Sequence, residues 1–295
     1  MMHVRRLLRR TAVVVAVLAV SCSRGDDNAP PVATPSVVLA TQAAAIGSPI
    51  DMRNRFVVAP DAPPFNEDFW VFVHFLDTDG ELMWTDDHEP SPPVRQWKPG
   101  TTVEYPRTMF IPKFPYVGQT RVEVGLFSPS SGERLPLMGQ SRGQRSYEVA
   151  NFDMRLQSDN LFVIFQDGWH ATEVAGEGSG LEWQWSRKDS TLTFANPKRD
   201  VELFLQLDQP VAASVSPQQV DVKAGTQVVD TFALPAGRME LRRIKLPAAQ
   251  LGTGDTVELT ISVDRTFVPA TVPALKSNDP RELGVRVFRA FVQPI

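Results

Sequence analysis

Apolar and polar residues alternate along most of this chain. In Thr256–Asp264, Val257, Leu259, Ile261 and Val263 fall on one side and the polar residues on the other. Val201, Leu203, Leu205 and Leu207 repeat the pattern, as do Val122, Val124 and Leu126. Successive side chains of a strand face opposite ways, so each stretch predicts a strand with one buried face. Phe69–Leu76 (FWVFVHFL) is apolar on both faces and predicts a central strand. Asp79-Gly80 leads into Glu81–Trp84 as a hairpin, and Ser131-Gly132 closes Val122–Phe127. After Ala236-Gly237 the apolar phase of Met239–Leu246 slips between Leu241 and Ile244, which predicts a bulge. The best short helix is Asp279–Gly284, with Asp279 as cap, Pro280 in the first turn, Glu282 completing a capping box and Gly284 as stop. Strands about ten residues apart, separated by Gly, Pro and Asp turns, predict an all-β protein. The architecture expected is two tandem antiparallel β-sandwiches, immunoglobulin-like or jelly-roll-like.

The N-terminus breaks this pattern. Arg5, Arg6, Arg9 and Arg10 precede an apolar run, Ala12–Val20. A cationic start before an apolar run of about ten residues, half of what a membrane span needs, is an export signal. The small residues Ala19, Val20 and Ser21 lead into Cys22, the only cysteine. This resembles a bacterial lipobox. The resemblance implies cleavage before Cys22, diacylation of its thiol and acylation of the new amino group. An ordinary secretory signal with an incidental cysteine is the other reading. Ser23 follows Cys22, where some enterobacterial lipoproteins carry an Asp that retains them at the inner membrane.

Four segments are expected: 1–21, a lipoprotein signal peptide; 22–48, the lipidated cysteine and a disordered tether; 49–150, a first sandwich; and 151–295, a second. The tether reading rests on the Ala, Pro, Ser, Val and Thr that fill Ser23–Pro49, with few large apolar residues. Location follows from the anchor: the cell envelope, at the periplasmic face of the inner membrane or at the outer membrane.

Charge and composition narrow the function. Apolar residues make up 42% of the chain, enough for real cores. The net charge is −4, and losing the signal removes four arginines and no acid. An acidic protein repels phosphate backbones, so nucleic acid is not an expected partner. One cysteine cannot make a disulfide within the chain, so packing alone must hold the fold. No histidine pair has metal spacing, and no Gly-x-Ser-x-Gly or Gly-rich phosphate loop appears. Triads and carboxylate pairs assemble from distant positions, so spacing does not exclude them. The expectation is a protein without cofactor, metal or catalysis.

Two clusters carry candidate chemistry. The first is Trp84-Thr85-Asp86-Asp87-His88, with Trp97 close behind. Two indole faces flanked by Asp86, Asp87 and His88 would hold a sugar ring by stacking and hydrogen bonds. Asp77, Asp79, Asp86 and Asp87 could instead offer oxygens to Ca²⁺. The third reading is a turn and a loop, with Trp84 and Trp97 plugging one end of the sandwich. The second cluster is Trp169, His170 and Glu173, followed by Trp183 and Trp185 on one strand face. Trp183 and Trp185 at period two also read as core. His74 shares a face with Trp70, Phe72 and Leu76 and reads as a hydrogen-bonded buried histidine.

Both units resemble known modules. Val71–Asp77, Asp79-Gly80, Trp97-x-Pro99-Gly100 and Val124–Pro129 with Gly132, Arg134, Leu135 and Pro136 resemble a β-sandwich accessory domain at the ends of bacterial membrane glycosyltransferases. Gly168-Trp169, Glu173, Trp183-x-Trp185 and Asp279–Val285 with Val287 resemble another accessory sandwich, found beside cell-surface polysaccharide enzymes. These resemblances imply an envelope setting with glycan contact and no reaction. Three functions remain in order of preference: a non-catalytic binding module for cell-surface or exported polysaccharide, an assembly lipoprotein docking on another envelope protein, and a hydrolase.

Overall fold

The computed structural model describes residues 29–156, 161–176, 181–210 and 216–295. Cys22 and the signal peptide lie outside the described residues. The chain forms two units, one of residues up to Ala44 with Pro49–Met154, the other of Ala45–Ser48 with Arg155–Ile295. The division therefore falls at 154/155, inside a strand, rather than at 150/151.

The first unit is built from β1 (Ala33–Leu39), β2 (Ala43–Ala45), β3 (Pro49–Val58), β4 (Trp70–Leu76), β5 (Leu82–Thr85), β6 (Thr102–Phe110), β7 (Gly118–Phe127), β8 (Gln140–Ser141) and β9 (Tyr147–Arg155). Strands β1-β3-β6 make one antiparallel sheet. The other runs β2-β9-β7-β4-β5, with β8 on β9. Strand β4 pairs on both sides and buries Val71, Val73 and Phe75 completely, as its apolar run predicts. The Asp79-Gly80 turn joins β4 to β5, and Gly80 has the left-handed φ of 84° that glycine adopts at no steric cost.

The expected tether is partly structured. Its residues 33–45 contribute β1 and β2. Ala33, Val37 and Leu39 are buried, so small side chains at period two are enough to fill the sandwich there. Pro35 and Pro106 sit in β1 and β6, the two edge strands of the three-stranded sheet, where a missing N–H interrupts no ladder.

The second unit contains β10 (Ile164–Phe165), β11 (Glu173–Val174), β12 (Glu182–Trp185), β13 (Asp189–Ala195), β14 (Val201–Asp208), β15 (Gln218–Ala224), β16 (Gln227–Leu234), β17 (Glu240–Leu246), β18 (Thr256–Val263) and β19 (Arg286–Pro294). They form two antiparallel sheets, β10-β13-β18-β15-β16 and β11-β12-β19-β14-β17. Leu203, Leu205 and Leu207 of one sheet share a single core with Val220, Leu259 and Ile261 of the other.

Two sequence expectations fail in this unit. Strand β17 pairs with β14 without interruption, and the bulge lies between β14 and β19, at Gln206/Leu207. The phase slip in β17 has another cause: Arg242 and Arg243 point to opposite faces and pair with Asp230 and Glu202. Residues Asp279–Gly284 form no helix. The Asp279 carboxylate takes the Arg281 N–H and guanidinium, and Leu283 bridges Phe267. Gly284 serves packing rather than capping, since a Cβ there would lie 2.5 Å from Ser186 Oγ.

One core position is mismatched. Asn54 lies on the buried face of β3, is 0% exposed, and neither atom of its amide has a partner among the described residues. A buried amide without hydrogen bonds costs about 1–3 kcal/mol. Asn54→Leu is expected to stabilise the chain by about 1–2 kcal/mol in urea unfolding; a loss of stability would show that the amide is satisfied in solution.

Candidate functional site

The candidate site is a hollow of about 210 Å³ on the first unit, lined by Phe72, His74, Asp87, Phe127, Gly132 and Arg134. Register brings these residues together. On one face of β4, Trp70, Phe72 and His74 succeed one another at period two. Across the ladder they meet Phe127, Gly125 and Glu123 of β7. Gly125 makes room for Phe72: a Cβ there would fall 2.3 Å from the Phe72 ring. The ring can therefore lie across β7, 4.5 Å from the His74 imidazole, centroid to centroid.

The turn after β7 delivers the arginine. Ser128 Oγ accepts the Ser130 and Ser131 amides and donates to Glu67. Gly132 takes a φ of 75°, and Leu135 N–H returns to the Leu126 carbonyl, placing Arg134 beside Phe127. The Arg134 guanidinium sits 4.3 Å from the Phe72 ring centre, a cation–π contact. Its Nη1 donates to the Gln144 carbonyl. Asp87 enters from the opposite rim, on the segment that follows β5, between the bridges that Asp86 and His88 make to β4.

Partial burial sets the charges. Desolvation lowers the His74 pKa, with Arg134 acting in the same direction and Asp87 and Glu123 opposing it. The imidazole is therefore neutral at neutral pH, one nitrogen donating and the other accepting. Desolvation raises the Asp87 pKa, opposed by His74 when it is protonated and by a backbone hydrogen bond from Val73. Burial also lowers Arg134 within its very basic range. The hollow thus offers the part-exposed Phe127 ring, an acceptor at Asp87, a donor at Arg134 and an amphoteric group at His74, while Phe72 is buried beneath the Arg134 guanidinium. Asp87 is the one carboxylate of the lining. Glu123 lies beneath, committed to Ser146 and Arg121.

The sequence-predicted residues fall elsewhere, except Asp87. Trp84 is buried and stacked on Phe75 at 4.8 Å. Trp97 is buried against Phe56 and Phe65, its indole N–H donating to Pro92. Asp86 forms a two-pronged ion pair with Arg107. His88 is buried, with Nε2 on the Tyr105 hydroxyl and Nδ1 on the Asp86 carbonyl. The calcium reading fails at its donors: Asp77 Oδ1 accepts the Asp79 and Glu81 amides in the hairpin turn, and Arg107 holds Asp86. No group of three metal-type side chains converges among the described residues.

In the second unit, the Trp169 N–H donates to the Thr191 carbonyl, and His170 Nε2 meets the Glu282 carbonyl. Glu173 binds Arg281 and the Trp185 N–H. Trp183, Trp185 and Phe288 surround Arg286, whose carbon lies 5.2 to 5.6 Å from their ring centres while Asp208 holds its guanidinium. That aromatic box is filled by the chain's own arginine.

His88 makes the stability of the first unit acid-sensitive. Burial and Arg107 hold its pKa below the ordinary 6.5, against Asp86. The unfolded chain then takes up a proton that the folded chain resists, so stability is full above pH 6.5 and declines as pH falls through the folded pKa. Urea unfolding from about pH 8 to pH 5 should show this decline, and His88→Gln should flatten it. An equal slope in both proteins would contradict the assignment.

No protein-family model matches the chain, and no curated protein matches it. Solved structures do. A family 35 carbohydrate-binding module from an environmental isolate is 8% identical, with a TM-score of 0.28 over 46% of this chain and 98% of the module. The tandem CBM22-1–CBM22-2 domain of Paenibacillus barcinonensis Xyn10C is 11% identical, with a TM-score of 0.27 over 89% of this chain and 93% of its own. The Pseudomonas fluorescens alkylpurine DNA glycosylase AlkC, bound to DNA with an abasic site analogue, is 15% identical at a TM-score of 0.26; the alignment covers 44% of this chain and 32% of the glycosylase. Likeness at this level carries no argument about binding, which rests on the hollow itself.

Proposed function

We propose that this chain is a non-catalytic binding module for cell-surface or exported polysaccharide, held at the bacterial envelope by a lipid on Cys22. The observation that carries the reading is the hollow: the part-exposed Phe127 ring among His74, Asp87 and Arg134, with Phe72 buried beneath the arginine. A sugar ring presents an apolar face to an aromatic plane and hydroxyls around its rim. Asp87 accepts from hydroxyls, Arg134 donates, and neutral His74 does either. The Asp87 and Arg134 charges offset each other, which favours an uncharged ligand. The volume suits one small ring rather than a drug-sized molecule. Hydrolysis by the paired-carboxylate route needs two carboxyl groups flanking the bond, and the lining supplies one.

The test is binding of the purified full chain to immobilised glycans, repeated with His74→Ala and Asp87→Asn. Asp87 lies at the exposed rim, so Asp87→Asn should fold normally and lose at least about tenfold in affinity. Unchanged binding by both variants, or turnover of a glycan by the parent, would overturn the proposal.

A further inference from the structure

Trp70 is an exposed aromatic beside the hollow that the hollow does not use. It is 37% exposed at the start of β4, on the face that carries Phe72 and His74. Its ladder partner is Phe127, and the two rings meet edge to face at 6.4 Å. Phe127 in turn lines the hollow and lies 6.3 Å from Phe72. Trp70, Phe127 and Phe72 therefore form one continuous aromatic strip, buried at one end and open at the other. Among the described residues no group takes the Trp70 indole N–H, which leaves a donor beside an apolar plane. The buried tryptophans of this unit, Trp84 and Trp97, have their faces covered by other rings; Trp70 keeps a large part of its surface in water, at a cost in hydration that a stacked ligand would remove.

Resting on the glycan reading of the hollow, we infer that Trp70 is a second subsite, and that the ligand class is an internal stretch of a polysaccharide rather than a free or terminal monosaccharide. One ring sits in the hollow against Phe127, between Asp87 and Arg134. The next residue of the same chain stacks on Trp70, its hydroxyl or ring oxygen accepting from the indole N–H. The strip runs along the sheet face, so a linear chain can lie across it without having to end in the hollow.

The experiment is calorimetric titration of the full chain with cello-, xylo-, manno- and chito-oligosaccharides of one to about six residues, repeated with Trp70→Ala, Trp70→Phe and Arg134→Ala. In the series that binds, affinity should climb at least about tenfold from one residue to three and then level off. Trp70→Ala should flatten the climb, measured as the ratio of trimer to monosaccharide affinity within the same variant, to about threefold or less, and Trp70→Phe should keep most of it. A monosaccharide that binds as tightly as its trimer, or a climb that survives Trp70→Ala, overturns the second subsite alone. Absence of binding to every saccharide, or binding indifferent to Arg134→Ala, overturns the reading of the hollow and the subsite with it.

Discussion

Trp97→Ala destabilises the chain by about 3–5 kcal/mol, and Trp84→Ala by a similar amount, in denaturant unfolding. Trp97 is packed on two phenylalanine rings and tied by its N–H to Pro92, while Trp84 is stacked on the fully buried Phe75. Removing either indole leaves a cavity that strands on both sides cannot collapse into without breaking register. Natural domains hold only about 5–15 kcal/mol in reserve, so partial unfolding at growth temperature is the expected phenotype. The milder Trp97→Phe should recover most of the stability. If Trp97→Ala instead keeps its unfolding midpoint and loses only ligand affinity, the indole is a contact surface and the description of the first core is wrong.

Arg134→Ala costs no more than about 1–2 kcal/mol of folding stability and lowers glycan affinity by about thirtyfold or more. The arginine is part-exposed, and what the fold gains from it is one hydrogen bond to Gln144 and the contact over Phe72. What the hollow gains from it is a planar donor seated on the buried Phe72 ring, a geometry lysine cannot reproduce. Arg134→Lys should therefore recover only a small part of the affinity. Stability is read by urea unfolding and affinity by titration, so the two effects separate in the same preparation. A variant that binds like the parent would remove the guanidinium from the site.

The strands were legible because alternation is a local property. Thr256–Val263 and Val201–Asp208 fold where the pattern places them. The all-β class follows from such segments, and so does the central place of β4. The hollow was not legible, because its lining comes from β4, from the segment after β5 and from the turn beyond β7, and only ladder register joins them. Of the Trp84–Trp97 cluster, Asp87 alone faces it. Asp86 and His88 looked available because their partners, Arg107 and Tyr105, belong to a strand of the opposite sheet. His74 looked like a core histidine because Phe72 and Leu76 flank it; Gly125, a small residue in an otherwise bulky strand, marks where the Phe72 ring crosses β7. The N-terminal strand was missed because Ala33, Pro35 and Val37 resemble linker composition, although they fill the edge of a thin sheet.

The measurement that tests the central claim most directly is amide chemical-shift mapping of the full chain titrated with the oligosaccharide that binds best. The account predicts that the largest shifts gather at Phe72, His74, Asp87, Phe127, Gly132 and Arg134, with Trp70 responding once the ligand exceeds one residue. Shifts centred instead on Trp183, Arg286 and Phe288, or no shifts at saturating ligand, would contradict it.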